Sequence, residues 1–139
     1  YMRAALAEAE KAYEKQEVPV GAVVVYKEMI IARAHNLTET LRDPTAHAEM
    51  QAITAATSYL GGKYLTDCTL YVTIEPCAMC AGAIGWSQAS VLVFGAGDEK
   101  KGFTKIKGDL LHPKTVVESG VLETACKELL IRFFRSKRN

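Results

Sequence analysis

The sequence predicts an α/β protein, a three-layer α/β/α sandwich around a mixed five-stranded sheet. Segments with helical apolar spacing alternate with short β-branched runs in the order helix-strand-strand-helix-strand-helix-strand-strand-helix. The run "VPVGAVVVY" at 18–26 is continuously apolar, as a strand covered on both faces should be. With 139 residues, 49% of them hydrophobic and 24% charged, the chain has the size and composition of a single domain, residues 1–139, with one core.

The elements follow in order. Met2, Ala5, Leu6, Ala9 and Tyr13 recur at three- and four-residue spacing among Glu and Lys, which gives an amphipathic helix over 2–15. "VPVGAVVVY" and "MIIARAH", joined by Lys27 and Glu28, form a strand pair. In "DPTAHAEMQAITAATSYLGG" Asp43 is the expected N-cap, Pro44 a first-turn residue, Met50, Ile53 and Leu60 the apolar stripe, and Gly61 and Gly62 the terminator. "TLYVTI" is a strand, "CAMCAGAIGWSQ" a short helix, "SVLVFG" a strand, "TVVESG" a weaker strand and "ETACKELLIRFFRSKR" the last helix. The starts of the two middle helices should meet at one sheet edge, where α/β proteins tend to bind ligands.

No run approaches the roughly 20 apolar residues that span a bilayer, so no membrane partner is expected. The opening "YMRAALAEAEKAYEKQ" is too charged for a signal peptide, which makes the cytoplasm the expected location. Four cysteines in such a chain are more often free, metal-bound or catalytic than disulfide-linked. Cys68 and Cys126 lie among apolar neighbours and are expected to be buried structural residues. A formal net charge of +1 is uninformative about nucleic acid, but its distribution is not. Arg132, Arg135, Lys137 and Arg138 close the chain without an acid among them, and Lys100, Lys101, Lys105 and Lys107 cluster after a glycine turn. Such local patches can contact phosphates.

Two short stretches carry chemistry. "TAHAEM" sets His47 two residues before Glu49, and "TIEPCAMC" sets Cys77 three residues before Cys80. Zinc takes tetrahedral nitrogen and sulfur ligands, and a catalytic site leaves the fourth position to water. His47, Cys77 and Cys80 supply three ligands, and a position in the first turn of a helix would favour the thiolates that zinc requires. Two thiolates and a neutral imidazole cancel the metal's charge, so the site needs a nearby base to take a proton from water, and Glu49 can be that base. Alone, a CxxC also suits a structural zinc or a redox pair. A closed structural site wants a fourth protein ligand, however, and neither His35 nor His112 is spaced as one.

His-x-Glu with Pro-Cys-x-x-Cys is the signature of zinc nucleobase deaminases. The stretches "EVPVGAVVV", "DPTAHAEM", "TLYVTIEPCAMCAGAI", "VFGAGDEKKG" and "GVLETACKELLIRFFR" resemble the bacterial tRNA adenosine deaminases of the cytidine/deoxycytidylate deaminase superfamily across nearly the whole chain. The resemblance implies a cytidine deaminase-like fold, one zinc ion per subunit and hydrolysis of adenosine to inosine at the wobble position of a tRNA anticodon loop. It implies His47, Cys77 and Cys80 as metal ligands and Glu49 as the proton carrier. Asn36 matches an asparagine that bonds the flipped base, and Asp98 an aspartate near the preceding nucleotide; either can instead be a turn residue. Phe134, Arg135, Lys137 and Arg138 match a C-terminal helix that borders the RNA, with core packing the alternative for Phe133 and Phe134. A homodimer is implied too.

Two segments depart from the family pattern. "DEKKGFTKIKGDLLHPKT" is shorter and richer in lysine than its enterobacterial counterpart, and "AIGWSQ" replaces a Met-Ile-His-Ser-Arg run. Trp86 there suits an interface or core anchor better than a base-stacking group. Two rival functions stay open at this point. A small-molecule guanine or cytosine deaminase would share the zinc motifs, and a nucleic-acid-binding module would hold zinc without turnover. "EVPVGAVVV" and the basic last helix favour RNA over the first; Glu49 speaks against the second.

Overall fold

The computed structural model describes residues 1–138. Four helices, α1 (Met2–Glu14), α2 (Ala48–Leu60), α3 (Ala78–Ser87) and α4 (Glu123–Lys137), surround five strands, β1 (Gly21–Tyr26), β2 (Met29–His35), β3 (Cys68–Ile74), β4 (Val91–Ala96) and β5 (Val116–Glu118). The sheet order is β2-β1-β3-β4-β5, antiparallel across β2-β1-β3 and parallel across β3-β4-β5. This is the mixed five-stranded sheet that the sequence predicts.

The apolar run of β1 is explained by its two neighbouring layers. Ala22 and Val24 face α2 and α3, packing with Ala48, Ala52, Ala56 and Ile84, while Val23 and Val25 face α1 and α4, packing with Met2, Ala5 and Cys126. Successive strand residues point to opposite faces, so a strand between two helical layers can alternate nothing. Each of these valines, when fully buried, contributes roughly 1.5–3 kcal/mol. Gly21 lets α1 come close, since a Cβ there would overlap the Ala5 carbonyl oxygen. Cys68 and Cys126 are free and buried, as expected.

The structure corrects three readings. α2 begins at Ala48 with His47 at the N-cap, not at Asp43; Asp43 instead closes a preceding turn by accepting from the Thr45 amide and hydroxyl. An Asp-Pro pair initiates turns as readily as helices, and here the turn swings His47 off the helix barrel. The first strand starts at Gly21 rather than residue 18, because Val18 to Val20 turn away to line a cavity. Trp86 is not a core anchor of its own chain, being 85% exposed on α3. The weak strand "TVVESG" shortens to β5, an exposed edge, and a 3-10 turn at Phe103–Lys105 interrupts the lysine-rich segment. Among the described residues, no helix is long and apolar enough to cross a membrane.

Candidate active site

Because β2 and β3 run opposite to β1, the C-terminal ends of β2 and β3 and the start of β1 lie at one edge of the sheet, joined there by the end of β4. Four segments leave that edge: Val18 to Val20 before β1, Asn36 to Thr38 after β2, Glu75 to Cys77 after β3 and Asp98 after β4. With the start of α2, they line a cavity of about 260 Å³ whose wall includes Asn36, His47, Glu49, Cys77, Asp98 and Lys101.

Two helices aim their N-termini at its floor. His47 and Cys77 are the N-cap residues of α2 and α3, both with extended backbone, so each side chain leaves its helix at the positive end of the dipole. Cys80 follows in the first turn of α3 and is fully buried. His47 Nδ1 lies 3.7 Å from Cys77 Sγ and 3.4 Å from Cys80 Sγ, and the three ligand atoms all fall within 4.8 Å of one another. With Zn–N near 2.0–2.1 Å and Zn–S near 2.3 Å, the edges of a zinc tetrahedron measure roughly 3.5–3.8 Å. The trio fits such a tetrahedron on three corners.

The electrostatics point the same way. The Cys77 thiol is drawn well down by the Cys80 S–H that donates to it and by His47, toward the thiolate that zinc requires. Cys80 is pushed up by that same neighbour and by burial. His47 is raised by its bond to Cys77, against the opposing effect of burial. Protons are shared among three groups where a cation can replace them. Glu49, 4% exposed, is pushed up to about 7 by burial, with the Cys77 charge adding to the rise and His47 opposing it. A carboxyl poised near neutrality beside the trio is suited to taking and returning protons.

Residues 1–96 match the family described as the "Cytidine and deoxycytidylate deaminase zinc-binding region". The chain belongs to this family. Members of the family bind zinc, and one zinc ion per subunit is the cofactor of this chain. A tRNA-specific adenosine deaminase of Bacillus subtilis (strain 168) is 51% identical over 144 residues, covering 99% of this chain and 89% of the relative. A solved structure described as "A-to-I Editing by tRNA:A34 Deaminases at the Wobble Position of Transfer RNA" superposes with a TM-score of 0.88 at 41% identity, covering 94% of this chain and 98% of that one. Guanine deaminase from Nitrosomonas europaea superposes with a TM-score of 0.80 at 26% identity, covering 95% and 81%.

The structure brings some of the expected residues together and leaves others apart. Asn36 is buried in the cavity wall, its Oδ1 accepting from the Thr38 amide, so it combines a turn bond with access to the cavity. Asp98 lines the cavity while accepting from the Lys100 and Lys101 amides. Lys137 lines a neighbouring pocket that shares Val18 and Thr38 with the site, and its ammonium stacks over Phe133 at 5.4 Å. Phe133 is buried and Phe134 is exposed, which divides the pair between core and surface. Arg135 lines a groove between α1 and α4, and Arg138 is exposed. None of Phe134, Arg135 and Arg138 lines the central cavity.

Sequence reasoning missed Glu17, buried beside the cavity, and Glu75, which is buried in its wall. The available signal was an isolated carboxylate shortly before a proline beside an apolar strand, Glu17 two residues before Pro19 ahead of β1 and Glu75 directly before Pro76 after β3. Thr38 and Lys101 also join the cavity wall, and only their place on the fold shows it.

Proposed function

We propose that this chain hydrolyses adenosine to inosine at the wobble position of a tRNA anticodon loop. The observation that carries the reading is Glu49, buried over a His47-Cys77-Cys80 trio with zinc spacing at the floor of a one-base cavity, in a chain 51% identical to a tRNA-specific adenosine deaminase. At about 260 Å³ the cavity is smaller than the roughly 300–1,000 Å³ of drug-sized sites, which suits a single base flipped in from a strand that stays outside.

His47, Cys77 and Cys80 hold the zinc in this reading. Zinc bound there supplies a hydrolytic nucleophile from water near neutral pH. Glu49 takes one proton from water and delivers it to N1 of the purine, then takes the second from the oxygen added at C6 and gives it to the departing amino group, so that adenosine and water become inosine and ammonia. Asn36 orients the base by hydrogen bonding from the buried wall. Asp98 and Lys101 meet the flanking nucleotide, and Phe134, Arg135, Lys137 and Arg138 border the RNA backbone.

The protein works as one domain in the cytoplasm and as a homodimer. Trp86 at 85% exposure, with Met79 exposed nearby on α3, supports that face as the dimer contact, since large aromatics fit interfaces better than open surface.

The test offers an anticodon stem-loop with adenosine at the wobble position beside free guanine, cytosine and adenosine, and follows inosine and ammonia. Inosine in the stem-loop is expected. Ammonia from free guanine with an untouched stem-loop would move the chain to the guanine deaminases instead.

A further inference from the structure

Two buried carboxylates outside the metal trio repeat one another. Glu17 accepts from the Glu39 amide on one oxygen at 2.9 Å, and from the Thr40 amide and Thr40 hydroxyl on the other, each at 2.6 Å. Glu75 accepts from the Asp98 amide on one oxygen at 3.0 Å, and from the Thr104 amide at 2.9 Å and the Thr104 hydroxyl at 2.7 Å on the other. Each carboxylate therefore collects two backbone amides and one threonine hydroxyl from a loop distant in sequence. Both oxygens of each group already accept at least one hydrogen bond. Glu17 is 0% and Glu75 6% exposed.

The two loops form different walls of the same cavity. The Glu17 loop follows Asn36 and Thr38, while the Glu75 loop carries Asp98 and Lys101. Glu75 also stands between that loop and the segment leading to α3: Phe103 donates to the Pro76 carbonyl at 2.9 Å, and Cys77 bridges Gly102. Gly102 has no room for a side chain, because a Cβ would overlap the Glu75 carboxyl. Hydrogen bonds from backbone N–H groups to a buried carboxylate are strong and directional, so these loops are fixed before a substrate arrives.

We propose that Glu17 and Glu75 are a matched pair of positioning residues that set the width and register of the cavity mouth for the nucleotides flanking the flipped base. Glu17 stands outside the cavity lining, and Glu75 is part of it with both carboxylate oxygens engaged by the loop. Their effect passes through Asn36 and Thr38 on one wall and Asp98 and Lys101 on the other, so they govern recognition of the polymer rather than the chemical step. The inference rests on the proposed action on an anticodon loop.

The experiment uses the zinc-loaded full chain and reads KM and kcat for the stem-loop, together with zinc content. Thr40→Val and Thr104→Val each remove one hydroxyl donor while keeping side-chain shape, and each should raise KM about tenfold with kcat and zinc content held, the usual worth of one hydrogen bond to a charged group. Thr40→Ser and Thr104→Ser return the hydroxyl and should restore KM. Gly102→Ala, which crowds Glu75 from the other side, should reproduce the Thr104→Val phenotype. Wild-type KM in both valine variants would overturn the proposal, as would loss of zinc and kcat together, or serine variants as impaired as the valine ones. A wild-type protein that leaves the stem-loop unedited would instead overturn the function on which the inference rests.

Discussion

Three carboxylates buried near one cavity serve different ends because their surroundings differ. Glu49 lacks the amide cluster of the other two and is raised to about 7 by burial, which suits proton traffic. Replacing it with Gln keeps the shape and removes that traffic. Turnover on the stem-loop should fall by about 10²–10⁴, the range of general acid–base contributions, while zinc content measured on the same sample stays near one per subunit. Glu17 shifts the other way. Burial pushes its carboxyl up, but the Thr40 hydroxyl and the Glu39 and Thr40 amides outweigh that and hold it below its ordinary 4.5. Glu8 is lowered too: burial again opposes, and bonds to His35 and Lys11 prevail. A carboxyl with a depressed folded value stabilises the fold above its ordinary value and loses that stabilisation as pH falls through the folded one. Thermal melts should therefore drop below about pH 4.5, and Glu17→Gln should flatten that acid limb. The four residues of the metal trio and its base were legible because type and spacing announce them. Glu17 and Glu75 were not, since their partners are mostly backbone amides, and an amide leaves no mark on the residue that offers it.

At the scale of elements, periodicity revealed what packing demands. α1 shows its buried face as Met2, Ala5, Ala9 and Ala12, and β1 shows two covered faces as an unbroken apolar run. The start of α2 was hidden, because Asp43-Pro44 carries the local chemistry of a helix start and spends it on a turn. The closeness of α1 to the sheet was equally hidden until Gly21 was seen against Ala5 and Ala9. Gly21→Ala tests it: the added methyl meets backbone atoms rather than a flexible tip, so urea unfolding should show a loss of about 1–3 kcal/mol, the typical cost of overpacking. An unchanged midpoint would mean that α1 can ride outward without penalty.

The whole molecule presents Trp86 on the surface of α3, the same helix that carries Cys77 and Cys80 at its other end. A partner docked there would steady the metal-bearing helix in both subunits. If the proposed dimer forms through this face, Trp86→Glu should shift sedimentation toward monomer and lower kcat/KM on the stem-loop. A monomeric variant with full activity would count against the dimer as the working form. Nothing in a single sequence separates an exposed tryptophan from a core one on so small-residue a helix; the neighbouring Gly82 and Gly85 give no stripe from which to read a buried side.

His47 and Cys77 stand thirty residues apart along the chain yet 3.7 Å apart in space. Any ion that ties them acts as a cross-link as well as a reagent, closing a loop that contains all of α2 and β3 and removing freedom from the unfolded chain much as a disulfide would. The cofactor of this protein is thus also its clasp, and a cell short of zinc would lose the fold's margin together with the activity.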